Sequence, residues 1–159
     1  MRMTTIKADP RACDANPQSG GEPGQRRALL VEDDPDQRKL FAWMLRSLGW
    51  HVVEAQSGVE LLEWISKATS TPERMFDVVV SDIMMPDMTT IEVLSAWRYG
   101  GWSVPFIAVT AHDDPAIRIQ SRALGATCVL RKPVQVPDLQ RALERALAPD
   151  GAADGDGSS

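Results

Sequence analysis

The sequence predicts a doubly wound α/β fold built on a five-stranded parallel sheet. Five short apolar runs alternate with five segments of helical period along the middle of the chain. The runs do not alternate polar with apolar residues, so both faces of each strand should be covered by helices, as in a parallel sheet. The polar groups that interrupt the pattern fall at the carboxyl ends of the runs, where sheets of this kind gather their functional groups. Right-handed crossovers then leave only a few topologies, all doubly wound.

The first strand is "RALLV" (27–31), and "PDQRKLFAWMLRSLG" after it places Leu40, Phe41, Met44, Leu45 and Leu48 on one helical face. Gly49 is suited to end that helix, and "WHVVEA" (50–55) is the second strand. A second helix from about Gly58 to Lys67 presents Val59, Leu62 and Ile65, and the loop "ATSTPERM" leads to the third strand, "FDVVVS" (76–81). Residues 90–99 form the third helix, ended by Gly100 and Gly101. "PFIAVT" (105–110) is the fourth strand, and "DPAIRIQSRALGA" is a helix opened by Pro115 and closed by Gly125. "TCVLR" (127–131) is the fifth strand, and "VPDLQRALERALA" is a final helix with Leu139, Leu143 and Leu147 inward. Residues 1–26 and the tail 149–159 are rich in small and polar residues and bury too little to offset the cost of ordering. They are expected to be disordered, which leaves one domain over residues 27–148.

Composition narrows the function classes. The chain has 159 residues, of which 43% are hydrophobic and 25% charged, with a net charge of −5. No run approaches the roughly 20 apolar residues of a membrane span, and no apolar segment near the start reads as a signal peptide, so a cytoplasmic protein is expected. The lack of a basic block argues against direct nucleic-acid binding. Cys13 and Cys128 make neither a disulfide framework nor a metal cluster, and Cys128 reads as a small core residue. Trp43 and Trp64 fall near core stripes, while Trp97 and Trp102 bracket the turn at Gly100 and Gly101.

The chemistry lies at the strand ends. Strand one runs into Glu32, Asp33 and Asp34, strand three into Asp82, strand four into Thr110, and strand five into Lys132 and Pro133. Glu54, near the end of strand two, falls outside this group. Crowded like charges are unfavourable unless neutralised, and oxygen donors of this kind suit Mg²⁺, which keeps waters and shares a phosphoryl group. Asp34 precedes Pro35 and stands three residues before Gln37, so it reads as a helix N-cap with a capping-box partner, leaving Glu32 and Asp33 for the ion. Taken singly, Lys132 is an ordinary loop charge, Thr110 a turn residue and Asp82 a strand-ending aspartate. Their convergence on one sheet edge is what favours a site.

"LLVEDDPDQR", "VVVSDIMMPDM", "PFIAVTA" and "GATCVLRKP", in that order on successive β/α units, resemble the receiver domain of two-component response regulators over roughly residues 27–148. The resemblance implies a flavodoxin-like sheet of order 2-1-3-4-5. It implies that Asp82 is phosphorylated by a histidine kinase or phosphotransfer protein, forming an acyl phosphate by in-line attack. Such a domain catalyses its own phosphorylation and slow dephosphorylation and is not a conventional enzyme. Mg²⁺ would be held by Asp33, Asp82 and the Met84 carbonyl, with Glu32 acting mainly through water. Lys132 would pair with Asp82 beforehand and then with a phosphoryl oxygen, Thr110 would bind another such oxygen, and the Lys132–Pro133 bond would be cis. Met84 and His112 occupy positions that in the family tune access of water to the acyl phosphate, and a bulky Met84 should shield it. By its own residue type His112 reads equally as a solvated loop histidine.

Two places in the chain depart from the family pattern. Thr89 and Thr90 stand where Asp-Gly is usual, and either threonine can cap the third helix. Val129 stands where an aromatic residue usually moves inward as the threonine engages phosphate, so the usual switch should be weakened or carried by other residues. The reading is therefore a stand-alone receiver whose output is binding to another protein. A phosphorylation-independent adaptor is the alternative. A Mg²⁺-dependent phosphohydrolase fits poorly, because Met84 stands where such enzymes place a second acid.

Overall fold

The computed structural model describes residues 23–70, 75–87, 90–100 and 103–148, without the side chains of residues 69, 90, 91, 97 and 98. The five predicted units form β1 (Arg27–Val31), α1 (Pro35–Ser47), β2 (His51–Ala55), α2 (Gly58–Thr69), β3 (Val78–Asp82), α3 (Thr90–Tyr99), β4 (Phe106–Thr110), α4 (Pro115–Ala123), β5 (Cys128–Arg131) and α5 (Val136–Leu147). All strand pairs are parallel, in the order β2-β1-β3-β4-β5. Every residue of β3 and β4 is buried, as runs without polar alternation require.

Successive strand residues face opposite sides of the sheet and feed two separate cores. One joins Leu30, Val52, Val80 and Ile107 to Phe41, Met44 and Leu45 of α1 and to Leu139 and Leu143 of α5. The other joins Leu29, Val53, Val79 and Phe106 to Leu61 of α2 and to Val93 and Leu94 of α3. α4 is attached lightly: its one buried residue is Ser121, and Ile117 packs half-buried against the second core.

Several inward stripes lie elsewhere than the periodicity predicts. In α1, Leu40 and Trp43 are 53% and 61% exposed, and Ala42 is buried in their stead. Leu40 sits one residue step, about 100°, round the helix from Phe41, outside the 41/44/45 stripe. α2 runs two residues past Lys67, and its stripe is Leu61, Ile65 and Ala68, with Val59 exposed. Ser57 caps α2 by accepting from Glu60 N–H. In α5, Ala142 and Ala146 fill the inner face beside Leu139 and Leu143, and Leu147 is half-buried. β3 begins at Val78, and Phe76 before it is buried with its ring edge-on to Trp64.

Asp34 caps α1 as predicted, accepting from the N–H groups of Asp36 and Gln37 at 2.9 and 3.0 Å. The second half of the capping box differs, because the Asp34 N–H donates to Glu32 Oε1 at 3.2 Å. Gly49 and Gly125 follow α1 and α4 with φ of +90° and +99°, the left-handed conformation that glycine adopts freely. Cys128 is buried, as expected of a core residue. Cys13, Met88, Thr89, Gly101, Trp102, the tail from Pro149 and residues 1–22 of the leader lie outside the described residues, and α3 begins at Thr90. No described helix is long and apolar enough to cross a membrane.

Candidate functional site: an acidic cluster bridged by one lysine

β1 and β3 are neighbours with Val31 beside Ser81, so the residues that follow, Glu32 and Asp82, emerge side by side. The ladder continues past the strand ends: Glu32 N–H donates to Ala55 O, Ile83 N–H to Val109 O, and Lys132 N–H to Thr110 O. These bonds fix the backbone beneath the polar side chains. Arg38 of α1 adds a bond from its guanidinium to the Glu32 carbonyl at 3.0 Å.

Glu32 and Asp82 are almost wholly enclosed, at 2% and 8% exposure, while Asp33 is open to solvent. One oxygen from each of the three carboxylates lies within 4.8 Å of the others. Lys132 enters from β5, two strands away from β3, and its long side chain spans the gap. Its Nζ donates to Asp82 Oδ2 at 2.5 Å and to Glu32 Oε2 at 2.9 Å. The pairing with Asp82 matches the expectation, whereas the second bond, to Glu32, was not foreseen.

Burial pushes the Glu32 carboxyl up to about 7, and the nearby Asp82 charge adds to the effect while Lys132 opposes it. Burial by itself would lower the Lys132 ammonium. Its hydrogen bonds to Asp82 and Glu32 outweigh that and hold it above the usual lysine range.

The loop after Asp82 is pinned at both ends. Met84 N–H donates to Asp82 Oδ1 at 2.8 Å, and the Asp87 carboxylate accepts from Gly58 N–H and Val59 N–H at 3.3 and 3.1 Å. Asp87 thereby joins the loop to the N-terminus of α2, where a negative group is favoured. Nothing in the sequence singles it out, since its partners lie 28 and 29 residues away. The Met84 side chain is exposed and that of Met85 is buried.

Thr110 is buried at the end of β4, but both bonds of its hydroxyl are to His112: it accepts from the N–H at 3.0 Å and donates to the carbonyl at 3.3 Å. His112 itself is exposed. Val129 is half-buried beside Ala108 of β4, packed against the second core and apart from the carboxylates. The Lys132–Pro133 peptide is cis, as the resemblance implied. Glu54 lies outside the cluster as expected, ion-paired with Arg46 at 2.9 Å and Arg38 at 3.4 Å. Glu32, Asp33, Asp82 and Lys132 are thus brought together, with the Met84 amide beside them and the Thr110 hydroxyl bonded to the His112 backbone.

The donor set fits Mg²⁺. All three clustered groups are carboxylates, the hard oxygen ligands that this ion takes. Both Glu32 oxygens are already engaged, by Asp34 N–H and by Lys132, which favours an indirect part for Glu32. Asp33 faces solvent, where an ion could keep its waters.

Comparison with known proteins agrees with this geometry. The sequence profile of the response regulator receiver domain matches residues 28–144. Response regulator MprA of Mycobacterium sp. (strain KMS) is 36% identical over 131 residues, covering 80% of this chain and 54% of MprA. Transcriptional regulatory protein ZraR of Escherichia coli O157:H7 is 32% identical over 120 residues, covering 76% of this chain and 26% of ZraR. The chain thus spans about half of MprA and a quarter of ZraR. Among solved structures, chemotaxis protein CheY4 of Vibrio cholerae superposes with a TM-score of 0.68 at 31% identity, covering 78% of this chain and all of CheY4. FixJ-N gives a TM-score of 0.69 at 28% identity, covering 77% of this chain and 94% of that one. The profile match over most of the chain, the strand order and the acidic edge agree: this chain belongs to the response regulator receiver domain family.

Proposed function

We propose that Asp82 accepts a phosphoryl group from a histidine kinase or histidine phosphotransfer protein, in a Mg²⁺-dependent step, and that the domain then signals through protein–protein contacts in the cytoplasm. The observation that carries this reading is Lys132 Nζ held between Asp82 Oδ2 and Glu32 Oε2 inside the acidic cluster. A buried carboxylate hydrogen-bonded to a single lysine ammonium is a nucleophile supplied with its own counter-charge.

An Asp82 carboxylate oxygen would attack phosphorus in line. The new O–P bond forms as the P–N bond to the donor histidine breaks, and its electron pair stays on the imidazole nitrogen. Lys132 would pass from Asp82 to an oxygen of the incoming group, with Glu32 still holding its ammonium at the edge. Asp33, Asp82 and the Met84 carbonyl would hold Mg²⁺, with Glu32 acting through water. When bound, the ion supplies positive charge against the phosphoryl oxygens. Thr110 would have to release His112 for its hydroxyl to reach another phosphoryl oxygen. Met84 and His112, both exposed, would govern approach of water to the acyl phosphate.

A second reading, a receiver-like adaptor that works without phosphorylation, is favoured by Val129 in the place of a mobile ring and by the commitment of Thr110 to His112. Incubation with Mg²⁺ and acetyl phosphate, followed by intact-mass measurement, separates the two. The proposed function requires a base-labile phosphoryl adduct that is absent without Mg²⁺ and absent from Asp82→Asn. An unmodified wild-type protein under those conditions would leave the adaptor.

A further inference from the structure

The turn that carries Asp33 is held from outside the acidic cluster. The paired registers of β1 end at Val31, beside Ala55 on one flank and Ser81 on the other. Beyond them the Glu32 N–H still donates to Ala55 O at 3.1 Å, but the Glu32 carbonyl takes its donor from a side chain, Arg38 Nη1 at 3.0 Å. That carbonyl belongs to the planar peptide joining Glu32 to Asp33, so its direction decides where the Asp33 side chain leaves the backbone. Asp33 is exposed, and among the described residues its carboxylate forms no hydrogen bond or ion pair of its own. Even so, one of its oxygens lies within 4.8 Å of oxygens from Glu32 and Asp82. Its place in the cluster is therefore set through the backbone.

Arg38 is fixed at several points. Its backbone N–H donates to Asp34 O at 2.9 Å in the first turn of α1, and its Nε pairs with Glu54 Oε2 of β2 at 3.4 Å. Glu54 is held in turn by Arg46 at 2.9 Å. A planar guanidinium presents separate nitrogens in a rigid fork, so it can hold a carbonyl and a carboxylate at once more firmly than an ammonium on a flexible stem. We infer that Arg38 is a positioning residue for Mg²⁺: acting through the Glu32–Asp33 peptide, it keeps Asp33 where it and Asp82 can bind one ion. The inference rests on the reading that the acidic edge holds Mg²⁺. Donors behind a metal ligand act in this way, by orienting it. A rival role, a cation that merely offsets the acidic edge, has the opposite signature. Removing a positive charge beside a cation site should tighten the ion, whereas releasing the peptide should loosen it.

The test titrates the full chain with Mn²⁺, which shares the preference for oxygen ligands and whose free aquo ion is counted by electron paramagnetic resonance, with Mg²⁺ as competitor. Arg38→Met keeps an apolar stem, deletes both donors and should weaken Mn²⁺ by roughly tenfold. Arg38→Lys, which keeps the charge, should fall between Arg38→Met and wild type. Arg46→Met removes the other cation from Glu54 but leaves the Glu32 carbonyl bonded, so it should bind Mn²⁺ like wild type. Thermal unfolding followed by circular dichroism puts the variants on one stability scale. A metal-free signature accompanies these results. The Asp33 amide nitrogen resonance, whose peptide loses a polarising bond at its carbonyl, should move upfield in Arg38→Met and stay in place in Arg46→Met. Unchanged or tighter Mn²⁺ binding in Arg38→Met, equal weakening in Arg46→Met, or an Arg38→Lys indistinguishable from wild type would each overturn this inference alone. A wild-type chain that binds no Mn²⁺ would overturn the Mg²⁺ reading and the inference with it.

Discussion

The last two strands deliver the chain to the site in opposite ways. β5 passes through Lys132 and Pro133 into α5, whose Leu139, Ala142, Leu143 and Ala146 are all buried. Lys132 is correspondingly fixed, with both of its carboxylate partners enclosed. β4 passes through Thr110 and His112 into α4, which buries only Ser121 and is held at its start by Asp114 accepting from Ala116 N–H. The Thr110 hydroxyl is occupied within its own loop. One arm is anchored in the core and holds Asp82 through Lys132. The other is tethered by caps and half-buried contacts, which is where local opening requires the least free energy. A domain built this way can keep its chemistry rigid while its adjoining helix moves.

Truncations in the two helices give the largest contrast. Leu139→Ala removes a fully buried side chain and should cost about 3 kcal/mol, whereas Ile117→Ala, half-buried, should cost about 1 kcal/mol. Denaturant unfolding measures both, and equal costs would break the comparison.

Next come the two polar residues that lead into those helices. Lys132→Ala leaves two enclosed carboxylates without their cation and should cost about 3 kcal/mol near neutral pH. The cost should shrink in acid. The Glu32 carboxyl lies at about 7 in the folded protein against an ordinary 4.5, so the folded state binds a proton that the unfolded chain releases. The stability from that proton is full below pH 4.5 and is lost as pH rises through 7. Without Lys132 the carboxyl should rise further, and unfolding free energies at pH 5 and pH 8 should diverge more than in wild type. Thr110→Val, which removes bonds only to His112, should cost about 1 kcal/mol with no such pH dependence.

The smallest effect is the most local. Asp114→Ala deletes the α4 cap and should cost about 1 kcal/mol. Hydrogen exchange should quicken across α4 and stay unchanged in α5. A uniform rise across both helices would show that α4 opens only with the whole domain.

Much of the fold was legible because apolar runs of the right length alternate with helical periods, and each strand ends abruptly at a polar group. That same abruptness marked Glu32, Asp33, Asp82, Thr110 and Lys132. What escaped the sequence was everything set by side-chain direction or distant contact. Leu40 and Trp43 look like core residues until the rotation of α1 turns them outward. In α2 the buried hydrophobic residues are Leu61 and Ala68, while Val59 faces outward. Asp87 reads as a loop residue until α2 is placed beside it.

The bond from Lys132 to Glu32 joins residues 100 positions apart, which sets a schedule for the growing chain. At about 5–20 residues per second, several seconds pass between synthesis of Glu32 and arrival of Lys132. During that interval β1 and β3 are available to pair, but doing so brings Glu32, Asp33 and Asp82 together with no lysine among them. Mutual repulsion therefore works against early closure of this edge. Asp82 acquires its counter-charge only with the final β/α unit, so a chain stalled before β5 holds an unneutralised acidic edge.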